Sequence, residues 1–409
     1  MQPTLSNHRS SDEAIAAFAP SDAMQVRVLR SWADLASIKD HWAAMLERSE
    51  NASIFCSYEW MESWWNAWGE SGHLNVLVFE VNGQMFALAP LYIESRKVTG
   101  ATLEYLSMVG DNSGDSENLD FIVTPGYERE CAEAFLRWLE QNPSVDICSF
   151  KAMPESSTFG EALLGLLKQR EWAVEQWTSP GFYIPLPATF DEYLSRLSSE
   201  MRPLLTRYPR RLEKRFAVKY VQVTDEKDLP KYLDALFSLH QKRWEKAGEP
   251  GAFSEQARRE FYVALSVALL RRGWLDLWAA ELNGQIAAVQ YCFHFGNIVS
   301  LLQEGFDPQF ESEKVGYALR AKMLQDFIDR KFAKYDFLGG ADAYKERFGG
   351  LPQTYENVEF ARPWTRGSLH LGVGRMWGAT KRGLKQVLPA SLIVWLQTIL
   401  RGTARHRLL

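Results

Sequence analysis

Apolar residues alternate with polar ones over some short stretches of this chain and recur every three or four positions in others, the signatures of strands and amphipathic helices. Residues 80–87 read Glu-Val-Asn-Gly-Gln-Met-Phe-Ala, between Val-Leu-Val-Phe and Leu-Ala-Pro-Leu-Tyr-Ile. Residues 281–288 read Glu-Leu-Asn-Gly-Gln-Ile-Ala-Ala, between Leu-Asp-Leu-Trp-Ala-Ala and Val-Gln-Tyr-Cys-Phe-His-Phe. Asn-Gly between two such runs predicts a tight hairpin, because a type I′ turn needs positive φ at both central residues. The order downstream repeats as well. A strand is predicted at Glu104–Val109 and again at Ile298–Gly305, a helix at Glu128–Glu140 and at Tyr317–Lys331, and a short strand at Val145–Phe150 and at Tyr335–Leu338. Asp146 and Asp336 fall at matching places in this alignment. A strand–helix–strand step predicts a right-handed parallel crossover. Each half therefore reads as a mixed α/β sheet covered by helices, and the pair as a duplication.

Composition narrows the class. A chain of 409 residues with 24% charged positions is ordinary globular material for two or three domains. Its 46 basic residues against 51 acidic ones give a net charge of −5, so no nucleic-acid partner is expected beyond a local patch. Cys56, Cys131, Cys148 and Cys292 are scattered without metal-ligand spacing and read as buried, reduced thiols of a cytoplasmic protein. Asp12 and Glu13 interrupt the opening residues, which are expected to be a disordered leader over 1–23 rather than a signal peptide. No run approaches the ~18 apolar residues of a membrane span.

Three stretches stand apart. Residues 201–216 carry Arg202, Arg207, Arg210, Arg211, Lys214 and Arg215 against Glu213 alone; with Pro203 and Pro209 inside, they read as a solvated connector (186–216) rather than one helix, or as a basic edge facing phosphate or an anionic glycan. Residues 363–409 hold Arg366, Arg375, Lys381, Arg382, Lys385, Arg401, Arg405 and Arg407, no acid, and the apolar run Leu388–Leu400. That run suits an interfacial helix on a membrane, or one docked on the body or a second subunit. Trp60, Trp64 and Trp68 are spaced as a helical core stripe, with Trp65 off the stripe and available to stack on a sugar. The acidic loop 110–118 contains Asp111, Asp115 and Glu117, a conceivable Ca²⁺ cluster without an EF-hand register, so no metal is expected.

Three further segments carry a resemblance: Leu239-His-Gln-Lys-Arg-Trp244 followed by Gly248–Phe253; Leu302-Gln-Glu-Gly-Phe-Asp307; and Asp336-Phe-Leu-Gly-Gly-Ala-Asp-Ala-Tyr-Lys-Glu-Arg-Phe-Gly349. Through them the chain resembles the GNAT acyltransferase superfamily, nearest the double-domain CelD-like branch linked to bacterial cellulose and exopolysaccharide production, with Fem-type aminoacyltransferases more distant. The resemblance spans about residues 25–362 and is sharpest in the last segment. It implies an α/β (α+β) fold of two tandem GNAT-like mixed sheets flanked by helices, plus the basic helical tail. The domains would be 24–185, degenerate and acceptor-side, and 217–362, the acyltransferase. The co-substrate implied is acetyl-coenzyme A or another acyl-coenzyme A.

The resemblance places the pyrophosphate loop at Lys314, Val315, Gly316, Tyr317 and Ala318, with Gly305 closing the strand before it. Glu313 stands where the family has Gln or Arg. Free N–H groups at a helix start attract phosphate, and glycine permits close approach. A splayed strand near Leu301–Glu304 would polarise the acyl carbonyl. Tyr344 is the candidate proton donor to the departing thiolate; Asp336 and Glu304 are rival bases for the amine. His240, Arg243 and Trp244 share a helix face and, with Gln303, Lys345 and Trp65, are candidates for binding the acceptor, a small molecule or glycan precursor. The acidic loop would repel coenzyme A from the first half, leaving one active site. Two other functions fit the same residues: a Fem-type transferase using aminoacyl-tRNA, and a non-catalytic accessory subunit of a polysaccharide synthase held by the tail, cytoplasmic or peripheral on the inner membrane face.

Overall fold

The computed structural model describes residues 23–372 apart from 99, 247, 249 and 250. The predicted leader and the tail beyond 372 therefore lie outside the described residues. In the first half the strands are β1 (Gln25–Leu29), β2 (Gly72–Val81), β3 (Gln84–Val98), β4 (Ala101–Met108), β5 (Ile122–Val123), β6 (Ile147–Pro154) and β7 (Ala173–Pro185). In the second they are β8 (Val218–Gln222), β9 (Leu275–Leu282), β10 (Gln285–Phe295), β11 (Ile298–Phe306), β12 (Lys334–Gly339) and β13 (Leu351–Ala361). Both predicted hairpins form, with positive φ at Asn82 and Gly83 and again at Asn283 and Gly284. Each hairpin carries a bulge four residues past its turn asparagine, at Phe86 and Ala287. The carbonyls of these two bulged residues accept from Thr124 N and Asp307 N, each at 2.9 Å.

The two predicted sheets are joined into one. Strand order is β1-β2-β3-β4-β6-β13-β7-β12-β11-β10-β9-β8, with β5 on β3. The last strand of each half lies beside the other half: β13 pairs with β6 and β7 pairs with β12, both antiparallel. β7 and β13 also pair with each other from Leu351↔Tyr183 to Ala361↔Ala173. The predicted parallel crossovers are present as β4–β6 and β11–β12, each only three rungs long: Tyr105↔Ile147 to Ser107↔Ser149, and Ile298↔Lys334 to Ser300↔Asp336. The register corrects one alignment. The counterpart of Asp336 is Ser149, not Asp146, which precedes its first rung and binds Glu104 N and Arg366.

Residues 201–215 correct another expectation, forming one helix, Met201–Arg215, despite Pro203 and Pro209. Pro203 falls in the first turn, where no intrahelical N–H bond is lost. An interior proline costs about 3 kcal/mol, but Met201, Leu205 and Leu212 are buried at about 1.5–3 kcal/mol each, packed with the helix Val315–Asp329. The helix is therefore a packed element rather than a solvated connector. The four cysteines are free and buried. Among the described residues no helix is long and apolar enough to cross a membrane.

Candidate active site

Beyond Ser300↔Asp336 the strands β11 and β12 part. A bulge at Leu302, between the rungs Tyr291↔Gln303 and Cys292↔Leu301, turns β11 further. β12 bends at Leu338, where φ is +59°, and continues alongside β7. The divergence leaves backbone of Leu301–Glu304 without a β12 partner, at the place expected for the splay. Against it lies a cleft of about 460 Å³ lined by Arg243, Glu304, Phe306, Lys314, Val315, Gly316, Tyr317, Arg320, Tyr344, Arg347 and Phe348, among others.

The cleft's floor is the start of the helix Val315–Asp329. Its N-cap, Lys314, is left-handed (φ +57°) and supplies no side-chain cap. A non-glycine residue in that conformation costs roughly 1 kcal/mol, and it turns the first N–H groups outward as an anion-binding concavity. Gly316 has ordinary φ, and a Cβ there would meet only Phe306 Cδ1, at 3.9 Å. Neither backbone geometry nor packing requires a glycine, so the free space belongs to the cleft. This fits a pyrophosphate-bearing co-substrate. Glu313, the departure from the family pattern, is absent from the lining. It is buried and paired with Arg215 and, at 3.8 Å, Arg211. The end of the basic helix thus neutralises Glu313, while Glu311 of the same turn lines the cleft.

Glu304 is the carboxylate at the splay. Its Oε2 accepts from Arg320 and from Gln290 Nε2 at 2.8 Å, and its Oε1 faces Arg243 at 3.9 Å. Arg320, missed in the sequence, is buried on the helix one turn past Gly316, its guanidinium 4.5 Å from the Phe348 ring centre and 5.5 Å from that of Tyr344. Burial disfavours its charge, but neighbouring Glu304 outweighs this and holds its pKa above the ordinary value. The i, i+4 spacing from Gly316 was the available signal. Burial, then Glu304, pushes the Tyr344 phenol up to about 12, so it is a protonated donor at neutral pH.

Other predicted residues are placed elsewhere. Asp336 faces away from the cleft: its Oδ1 accepts from Leu338 N (2.8 Å) and Gln353 Nε2 (2.7 Å), and its Oδ2 meets Lys334 Nζ at 2.8 Å. Gly305 serves packing, since a Cβ there would come within 2.7 Å of His240 N. Ala318 is buried in the core. Lys345 is buried with its ammonium on the carbonyls of Leu338, Gly339 and Gly340, and burial lowers its pKa; it braces the turn rather than meeting a substrate. His240 is buried, accepts from Trp244 Nε1 at 2.9 Å, and is lowered to about 4 by burial and then Arg243. Of that trio only Arg243 lines the cleft. Gln303 is half-buried opposite Tyr291. Trp65 packs on Tyr92, ring centres 6.0 Å apart, and over Gly69, not as an open platform.

The acidic loop holds no cation cluster. Asp115 pairs with Arg258 and Tyr262, Glu117 accepts from Gly339 N at 2.6 Å, and Asp111 faces Lys151. Among the described residues no group of three His, Cys, Asp or Glu could hold a metal. A second hollow, of about 270 Å³, lies on the other face of the sheet. Both halves line it, with Asn51, Asn118 and Phe293 beside Ser300, Lys334 and Asp336.

Residues 199–346 match the family model for an acetyltransferase (GNAT) domain. That defines the class: the chain carries a GNAT acetyltransferase domain and is an acyltransferase. In fold it is similar to FemX, at 12% identity and a TM-score of 0.57, over 78% of this chain and 95% of that one. It is also similar to a conserved protein of unknown function from Bacteroides thetaiotaomicron, at 12% identity and a TM-score of 0.52, over 80% and 97%. These likenesses concern the fold. No curated protein matches the chain.

Proposed function

We propose that the protein transfers an acyl group from acyl-coenzyme A to an amine of a sugar or related envelope precursor, by direct attack in a ternary complex. The observation that carries this reading is the uncapped helix start at Gly316, open to a cleft that ends at a strand splay. The N–H groups of Val315, Gly316 and Tyr317 would hold the pyrophosphate, with Lys314 and Arg347 beside them. Backbone of Leu301–Glu304 polarises the acyl carbonyl. Glu304 takes the amine proton through Oε1, since Oε2 is spent on Arg320 and Gln290; Asp336, fully bonded elsewhere, gives up that role. Tyr344 donates to the departing sulfur.

The acceptor reaches the splay from the opposite face, through the hollow at Ser300 and Asp336. Lys334, its only lysine, is already paired with Asp336. Its lining therefore favours a neutral or aminated sugar over a phosphorylated one. The first half shapes this approach. A cytoplasmic place and an exopolysaccharide or cellulose pathway of the CelD-like kind follow from the resemblance alone and belong to the same proposal.

Calorimetric titration with acetyl-coenzyme A and longer acyl homologues tests the reading. Saturable heat is expected. A folded protein giving no heat with any of them would turn the assignment to an aminoacyl-tRNA donor or to an accessory subunit.

A further inference from the structure

The basic helix Met201–Arg215 ends against the turn that precedes the donor cradle. Arg215 and Arg211 reach the buried Glu313. The ring of Phe216, next along the chain, meets that of Phe310 with 5.8 Å between centres. Lys314, which follows Glu313, already lines the cleft. With Met201, Leu205 and Leu212 turned into the core, helical spacing puts Arg207, Arg211 and Lys214 (i, i+4, i+7) in one exposed row beside Arg215. One carboxylate serves this row. Arg211 and Arg215 share Glu313, and neither Arg207 nor Lys214 has an acidic partner among the described residues. Glu213, the helix's own acid, lies toward Tyr220, on the other flank. The row therefore carries an excess of positive charge at the edge of the cleft.

The order of parts in an acyl-coenzyme A gives this charge a use. With the thioester at the splay and the pyrophosphate at the helix start, the adenosine and its 3′-phosphate continue past Lys314 and out of the cleft. What lies past Lys314 is Glu313 and, upon it, the row on the helix Met201–Arg215. The lining cations Lys314 and Arg347 face the pyrophosphate, beside Glu311. A phosphate monoester carries close to two negative charges at neutral pH, and guanidinium and ammonium groups bind it through charge-assisted hydrogen bonds. Holding Glu313 alone would need only Arg211 and Arg215. From Arg207 to Lys214 the row is about 10 Å long, enough for one phosphate group rather than for the succession of phosphates that a nucleic-acid duplex presents.

We infer that Arg207, Arg211 and Lys214 bind the 3′-phosphate of the coenzyme A moiety, so that a helix preceding the first strand of the second half selects the phosphorylated nucleotide. The inference rests on the acyl-coenzyme A reading above and adds which end of the donor is recognised, and by which side chains.

Calorimetry of the full chain with coenzyme A and with 3′-dephospho-coenzyme A tests it. The wild type is expected to bind coenzyme A about tenfold more tightly than the dephospho form, an advantage that shrinks as salt rises. Arg207→Gln with Lys214→Gln should cut the advantage to about twofold, by weakening coenzyme A and sparing the dephospho form. Arg207→Lys with Lys214→Arg keeps both charges and should retain most of it. Both positions are exposed, so the melting temperatures of these variants should match the wild type. Equal affinity for the two ligands in the wild type, or an advantage still about tenfold in the Gln variant, would overturn the inference while the donor reading stands. A folded wild type giving no heat with either ligand would overturn both.

Discussion

The two halves carry the same splay and treat it differently. In each, a parallel pair of strands runs three rungs and then parts, after Ser107↔Ser149 in the first and Ser300↔Asp336 in the second. The second half crosses from β11 to its helix with residues 307–314, and the opening remains a cleft. The first half uses residues 109–127, and its own chain enters the gap: Leu119, fully buried, donates its N–H to Ala152 O of β6 at 3.1 Å. The helix starts differ in the same sense. The one at Glu128 has acids in its first turn, and the Glu128 carboxylate accepts from Gly126 N; the one at Val315 has none. Of two splays of the same design, one stays open as a cleft and the other is filled by packing. The difference lies in loop length and in the sign of charge at a helix start.

The sharpest way to break this contrast is at Glu304. Glu304→Gln should lower turnover about 10³-fold while leaving acetyl-coenzyme A affinity unchanged, and turnover close to wild type would move the base elsewhere. Tyr344→Phe should lower turnover about 10²-fold with acetyl-coenzyme A affinity unchanged; turnover equal to wild type removes the phenol from the reaction. Gly316→Glu, which gives the second helix start the acid that the first one has, should weaken acetyl-coenzyme A about 50-fold by calorimetry. Equal affinity would mean that the helix start does not hold the donor.

The smallest effect tests the filled splay. Burial raises Asp120, beside Leu119, to about 7. A carboxyl with a raised folded pKa contributes stability below its unfolded value near 4, and that contribution is lost as pH rises through 7. Asp120→Asn should therefore stabilise the protein at pH 8 by about 1–2 kcal/mol and make no difference near pH 4. Parallel melting temperatures at both pH values would contradict it.

Much of the framework was legible because it is local. Asn-Gly fixes a turn by itself, and the helix and strand periods around it led to elements within a few residues of those observed. Gly316, Lys314, Glu304 and Tyr344, singled out through the resemblance, line one cleft. The misreadings share a cause: each depends on a partner distant in sequence. Glu313 looks hostile to phosphate until Arg215 is placed beside it. Lys345 looks like a ligand for anions until the carbonyls of 338–340 close around it. Asp336 and Asp146 seem equivalent until strand register separates them by three positions. Nothing in the alternation of β7 or β13 says which half each will join, since pairing is a long-range choice among similar strands.

That exchange of terminal strands has a consequence for anyone who would isolate the catalytic half. A fragment cut to the stretch 199–346 would lack β13 and would leave β12 without β7, a bare backbone rim inviting promiscuous pairing. The first half is thus a scaffold that the second cannot shed, since the strand that completes each sheet edge belongs to the other half.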